Sequence, residues 1–239
     1  IDAARSGVGS PWQRSLAGRW RFRLFDRPED ISARHVRPDF NDAAWDTVEV
    51  PGTWTMQGYE RPHYLNVLMP IGGQPPEVPD ANPTGLYRTT FELPRRWAGQ
   101  RVVLGIGGAD SFHALWINGA PVGMGTDTRL ASEYDITDQL QAGTNHLVVM
   151  VVRWSWATWI EDQDQWWMAG LFRDVTITVS PRTHLADVRV LASLAPDNAT
   201  GTLDLQAIVA HEGDIPRGWA VEVLVESPQG RSLGHGSTR

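Results

Sequence analysis

No window of this chain sustains a helical period beyond about two turns, whereas short runs alternating apolar and polar side chains recur throughout. Arg19-Trp-Arg-Phe-Arg-Leu-Phe25 is the clearest, with Trp20, Phe22 and Leu24 on one face of a half-buried strand. Thr47–Val50, Tyr87–Phe91, Arg101–Ile106, Phe112–Ile117, Pro121–Gly125 and Val175–Val179 read as further strands. Asn118-Gly119 is a strong hairpin signal. Leu147–Val152 is apolar on both faces, as a strand covered on both sides must be. Only Ile136–Leu140 is suited to one helical turn, with Asp135 as its cap. The chain is therefore all-β, a jelly-roll β-sandwich over residues 15–181, preceded by a loose leader at 1–14 that reads as a processed or trimmed start. After Ser180-Pro181 the aromatic content falls and clean alternation begins. Residues 182–239 resemble the start of an immunoglobulin-like β-sandwich, truncated before it closes.

Composition narrows the function classes. A net charge of -7 disfavours nucleic acid and anionic membranes as partners. No cysteine is present, which removes disulfides, thiolate metal sites and a cysteine nucleophile, and fits a cytoplasmic location. No apolar run approaches the roughly 20 residues of a membrane span, and the N-terminus does not read as a signal peptide. No nucleophile elbow, P-loop or HExxH occurs. The glycines of 105–108 and 123–125 are turn glycines, since neither group has the third glycine and following helix of a dinucleotide loop. His63 and His113 read as structural.

The segment Arg153–Asp174 concentrates chemistry. It carries Trp154, Trp156, Trp159, Trp166 and Trp167, with the acidic run Glu161-Asp-Gln-Asp164 between the third and fourth. Aromatic faces beside carboxylates and amides suit a pyranose, which has apolar C–H faces and a rim of hydroxyls. On composition alone, a core segment with a solvated turn is the favoured reading. If extended, Asp162 and Asp164 point the same way with Cα atoms roughly 6.5 Å apart. Neighbours on one strand do not flank opposite sides of a scissile bond, so they are not a glycosidase acid/nucleophile pair. A hydroxyl acceptor or a hard-oxygen cation ligand is the better use.

The wording of longer stretches goes further. Trp54-Thr-Met-Gln-Gly-Tyr59, Tyr64-Leu-Asn66-Val, Pro79–Tyr87, Ser111–Gly119, Val122–Ile136 and Glu161-Asp-Gln-Asp164 with Phe172-Arg-Asp-Val resemble the N-terminal domain of glycoside hydrolase family 2, and within it the β-galactosidases. The resemblance covers roughly residues 15 to 181. It implies a galactose-binding-domain-like jelly roll packed against a (β/α)8 barrel that carries both catalytic glutamates and the main Mg²⁺ site. It implies substrate contacts from Asn66 and Asp164, with Asp164 also on a bound Na⁺. It further implies retaining hydrolysis of terminal β-D-galactosides, a homo-oligomer, and no catalytic residue or hydrolytic activity in this stretch alone. Trp156-Ala-Thr departs from the family pattern, which affects the local loop shape. A stand-alone carbohydrate-binding module, a β-glucuronidase or β-mannosidase part, and a purely structural domain are the competing readings.

Overall fold

The computed structural model describes residues 10–66, 68–211, 213–214 and 218–238. Two compact units divide at Val179/Ser180. In the first, β1 (Gln13–Ser15), β2 (Gly18–Phe25), β3 (Asp46–Val50), β4 (Gly52–Thr53) and β5 (His63–Leu65) come before the long strand β6 (Thr84–Glu92). Then follow β7 (Arg101–Ile106), β8 (Ala109–Asp110), β9 (Phe112–Ile117), β10 (Ala120–Gly125), β11 (Ser132–Asp135) and β12 (Thr144–Val152). The last three are β13 (Gln165–Trp167), β14 (Gly170–Leu171) and β15 (Val175–Ser180). Only short 3-10 turns interrupt them among the described residues.

A six-stranded sheet ordered β10-β9-β12-β6-β2-β3 faces a four-stranded sheet ordered β1-β15-β7-β11, giving the expected β-sandwich. The alternation in the sequence decides what lies between them. Trp20, Phe22, Tyr87, Leu115, Ile117, Leu147, Val149 and Val151 meet Leu104, Ile106, Val175 and Ile177 in one core cluster. The opposite face of the large sheet is covered too. Val148 and Leu86 pack with Phe25, Val36 and Trp45 from the 26–45 connection. That second cover explains why β12 is apolar on both faces. Asn118 and Gly119 both adopt left-handed backbone (φ 53 and 84), as the β9–β10 hairpin requires.

Several expectations need correction. Gln13 and Arg14, assigned to the leader, are strand residues that pair with Thr178 and Ile177; residues 1–9 lie outside the described residues. The turn after β11 spans only Thr137–Gln139, and Ile136, not Asp135, stands at its cap position. The Ile136 side chain is fully buried, while Asp135 Oδ1 accepts from the Thr137 amide two residues on, at 3.1 Å. Leu24 is only partly buried, unlike Trp20 and Phe22.

The second unit contains β16 (His184–Leu194) paired with β17 (Gly201–Ala210), and β18 (Val221–Glu226) paired with β19 (Ser232–Thr238). Gly230 (φ 78) turns the second hairpin, as Gln229-Gly230 promised.

The packing yields a test. A Cβ placed on Gly85 of β6 would lie 2.7 Å from ring carbons of both Phe22 and Trp54, which are fully buried. Gly85→Ala is expected to destabilise the domain by roughly 1–3 kcal/mol through overpacking. Urea unfolding checks this, and an unchanged midpoint would contradict the tight packing at that point.

Candidate functional site

The long segment between β4 and β6 looks irregular because few of its residues can enter a ladder, yet it contains one three-residue strand. That strand, β5, pairs antiparallel with β13: His63 with Trp167, Tyr64 with Trp166, and Leu65 with Gln165. Extending this register one step sets Asn66 opposite Asp164. The ladder itself ends at Leu65–Gln165; Asn66 and Asp164, from segments about a hundred positions apart, are the next residues beyond it, and both are exposed.

Contacts around the pair are explicit. The Tyr64 hydroxyl donates to Asp164 Oδ1 at 2.7 Å, and the Tyr64 and Trp166 rings lie side by side, centroids 5.3 Å apart. This hydrogen bond to the carboxylate raises the Tyr64 phenol pKa above its ordinary value. Among the described residues, Asp164 Oδ2 has no hydrogen-bond partner. The site therefore presents one free carboxylate oxygen, an Asn side chain and an exposed aromatic pair. That is the donor set a polyhydroxylated ring or a hard cation accepts. As a Na⁺ ligand Asp164 fits in donor chemistry, but it supplies only part of a shell. Among the described residues no group of three or more His, Asp or Glu side chains is placed to hold a metal ion.

The turn that delivers Asp164 is held from two directions. Glu161 Oε1 accepts from the Thr128 amide at 2.9 Å, and Arg129 donates to Gln165 Oε1 at 2.7 Å. Beneath it, Trp154 and Trp167 pack with Ile71, supported by Met69 and Trp159. The five tryptophans therefore divide: Trp154 and Trp167 are core, Trp159 is partly covered and caps Glu77 O, and Trp156 and Trp166 are exposed. Asp162 and Gln163 are exposed. His63 sits exposed on β5, and His113 is buried against the Tyr134 hydroxyl at 2.7 Å, where burial lowers its pKa to about 4.

Two groups escaped the sequence reading. Glu60 accepts from both Trp54 Nε1 (2.9 Å) and Arg153 Nη1 (2.8 Å) just before β5. Asp110, at the end of β8 and opposite Gly170 of β14, is 7% exposed. Burial is the main cause that raises its carboxyl to about 7, and Glu161 adds to it while Arg129 and Arg153 oppose it. Their sequence contexts, Tyr59-Glu-Arg and Gly108-Ala-Asp, carry no signal of burial.

Asp110 makes stability depend on pH. Its folded pKa lies above the ordinary carboxylate value, so between about pH 4 and pH 7 the folded state holds a proton that the unfolded chain has released. This contribution is present at low pH and is lost as pH rises through 7, at about 1.4 kcal/mol per pH unit inside the window. Asp110→Asn is expected to gain stability over the parent progressively from pH 4 to 7, then hold a constant lead. Denaturant melts at several pH values check this; parallel curves would refute it.

Residues 13–181 match the family model described as glycosyl hydrolases family 2, sugar binding domain. A β-galactosidase from Psychromonas ingrahamii is 43% identical over 193 residues, covering 81% of this chain and 19% of that protein. One from Vibrio vulnificus is 42% identical over 208 residues, covering 87% and 20%. The chain thus spans about a fifth of the length of these relatives. A Bacteroides uniformis β-glucuronidase structure superposes with a TM-score of 0.70 at 21% identity, over 95% of this chain and 25% of that one, which is a likeness of fold. With the family model covering most of its length, this chain belongs to glycoside hydrolase family 2.

Proposed function

We propose that the chain is the N-terminal part of a β-galactosidase and supplies one lip of its sugar pocket. The observation that supports this reading is the β5–β13 ladder, whose register, continued one step, would set Asn66 opposite Asp164, together with the Tyr64 hydroxyl on Asp164 Oδ1. The relatives of about 42% identity, which are named β-galactosidases, point to the galactoside rather than the glucuronide.

In this proposal a (β/α)8 barrel outside these residues holds both glutamates, one acting as acid/base and the other forming the covalent galactosyl intermediate of a retaining mechanism. Asn66 and Asp164 bind the terminal galactosyl unit from the rim. The carboxylate of Asp164 accepts charge-assisted hydrogen bonds from ring hydroxyls, and Asn66 offers both a donor and an acceptor. Asp164 contributes oxygen to a Na⁺ shared with the barrel side, and Mg²⁺ belongs to the barrel. A homo-oligomer and a cytoplasmic location complete the proposal. No helix among the described residues is long and apolar enough to cross a membrane.

Asp164→Asn in the full-length enzyme is expected to lower kcat/KM for a nitrophenyl galactoside by on the order of 100-fold, because a positioned hydroxyl acceptor is lost. The domain stays folded by circular dichroism, since Asp164 is exposed. Near-parent kinetics would remove Asp164 from the site. The exposed Tyr64–Trp166 pair favours one rival, a self-sufficient carbohydrate-binding module. Calorimetry of this chain with galactose and lactose separates them: a lip alone gives no measurable heat, whereas millimolar or tighter binding supports the module.

A further inference from the structure

The ribbon that carries the lip is small. It has two strands and three residue pairs, and Tyr64 and Trp166 on its outer face are exposed. A two-stranded ribbon of this size is marginal by itself. Trp167 anchors β13 in the core, but on β5 both His63 and Tyr64 are exposed and Leu65 is only half-buried, so β5 has little buried side chain of its own to fix its register. A slip of one residue would turn Asp164 to the other face and move it out of line with Asn66. Something outside the ribbon must fix its register.

One partly covered carboxylate reaches both sides. Glu60 lies three residues before β5, in a left-handed backbone conformation (φ 58). Its Oε1 accepts from Arg153 Nη1 at 2.8 Å, and the two side chains are 21% and 7% exposed. Arg153 follows β12 directly, and its own amide donates to Pro83 O at 3.0 Å, so it is anchored to the sandwich upstream of β13. Arg153 Nη2 also reaches Arg61 O at 3.4 Å, and the guanidinium stacks 4.8 Å from the Trp154 ring centroid. The other oxygen of Glu60 accepts from Trp54 Nε1 at 2.9 Å. Trp54 is fully buried, and its amide donates to Ala169 O at 2.9 Å, two residues past the end of β13.

We propose that Glu60 is a positioning residue, latched by Arg153 and Trp54, that sets the register of β5 against β13 and so holds Asn66 across from Asp164. This rests on the reading of those two residues as a sugar-binding lip. Glu60 acts at a distance from the sugar and touches none of it. The latch ties the start of β5 to the chain before β13 through Arg153 and to the chain after it through Trp54. Only a carboxylate accepts from both donors at once; a glutamine has one acceptor oxygen, and its amide nitrogen would meet a donor.

The absence of cysteine from the sequence provides a clean assay. Leu65 and Gln165 are directly paired, so cysteines there lie within disulfide reach only when the register is correct. Leu65→Cys/Gln165→Cys is expected to oxidise readily in a glutathione buffer, and roughly tenfold more slowly when Glu60→Gln is added. Glu60→Met/Arg153→Met removes the latch without stranding a buried charge and is expected to slow the cross-link equally. In the full-length enzyme, the reduced latch variants lose kcat/KM on an aryl galactoside and recover it on oxidation. Equal cross-linking rates with and without the latch would overturn the proposal. So would slow cross-linking with unchanged hydrolysis, or loss of the whole fold in both latch variants, which would make the pair a pillar of the domain instead. A parent enzyme without galactosidase activity would sink the sugar reading, while the cross-linking rates would still judge the latch.

Discussion

Three residue pairs between β5 and β13 carry the functional meaning of this domain, because they join segments that the chain separates by about a hundred positions. Closing so long a loop costs conformational entropy that such a short ladder does not recover alone. The sandwich supplies the difference. Its core fixes β6, β12 and β14, so the segments that form the lip are tethered to the sandwich. Trp54, Trp154 and Trp167 are the points where those segments are pinned to the interior.

Charge is layered by depth around the lip. Outermost is Asp164, with one oxygen committed to Tyr64. Below it Glu161 and Arg129 tie the turn to the 126–131 loop. Deeper still lie the paired Glu60 and Arg153, and Asp110, whose burial favours its neutral form. Removing water from a charge is costly unless a partner replaces it. The order therefore has a reason: a carboxylate at the surface keeps its water, and those farther in are latched or protonated.

Much of the sandwich was legible because its strands are amphipathic or doubly apolar. Trp20 and Phe22 on one face, and Leu147 and Val148 on two, report their burial directly through period two. Asn66 and Asp164 were singled out through the wording of their motifs, not through pattern, and the ladder that ends beside them was not foreseen. Strands of two or three residues, such as β4, β5, β8, β13 and β14, are too short to show a period. Their existence is decided by partners distant in sequence. Glu60 and Asp110 stayed hidden for a related cause: burial of a single charged residue between loops leaves no local trace.

The pairing of β1 with β15 has a consequence for biosynthesis. Gln13 pairs in register with Thr178, so the first described strand of this domain waits for its last one. Until β15 arrives, the flank of β7 that it will occupy is an unpaired edge, able to template contacts with other nascent chains. A domain closed by its own ends folds after translation of its final strand, and the speed of elongation through that stretch governs how long the edge stays open.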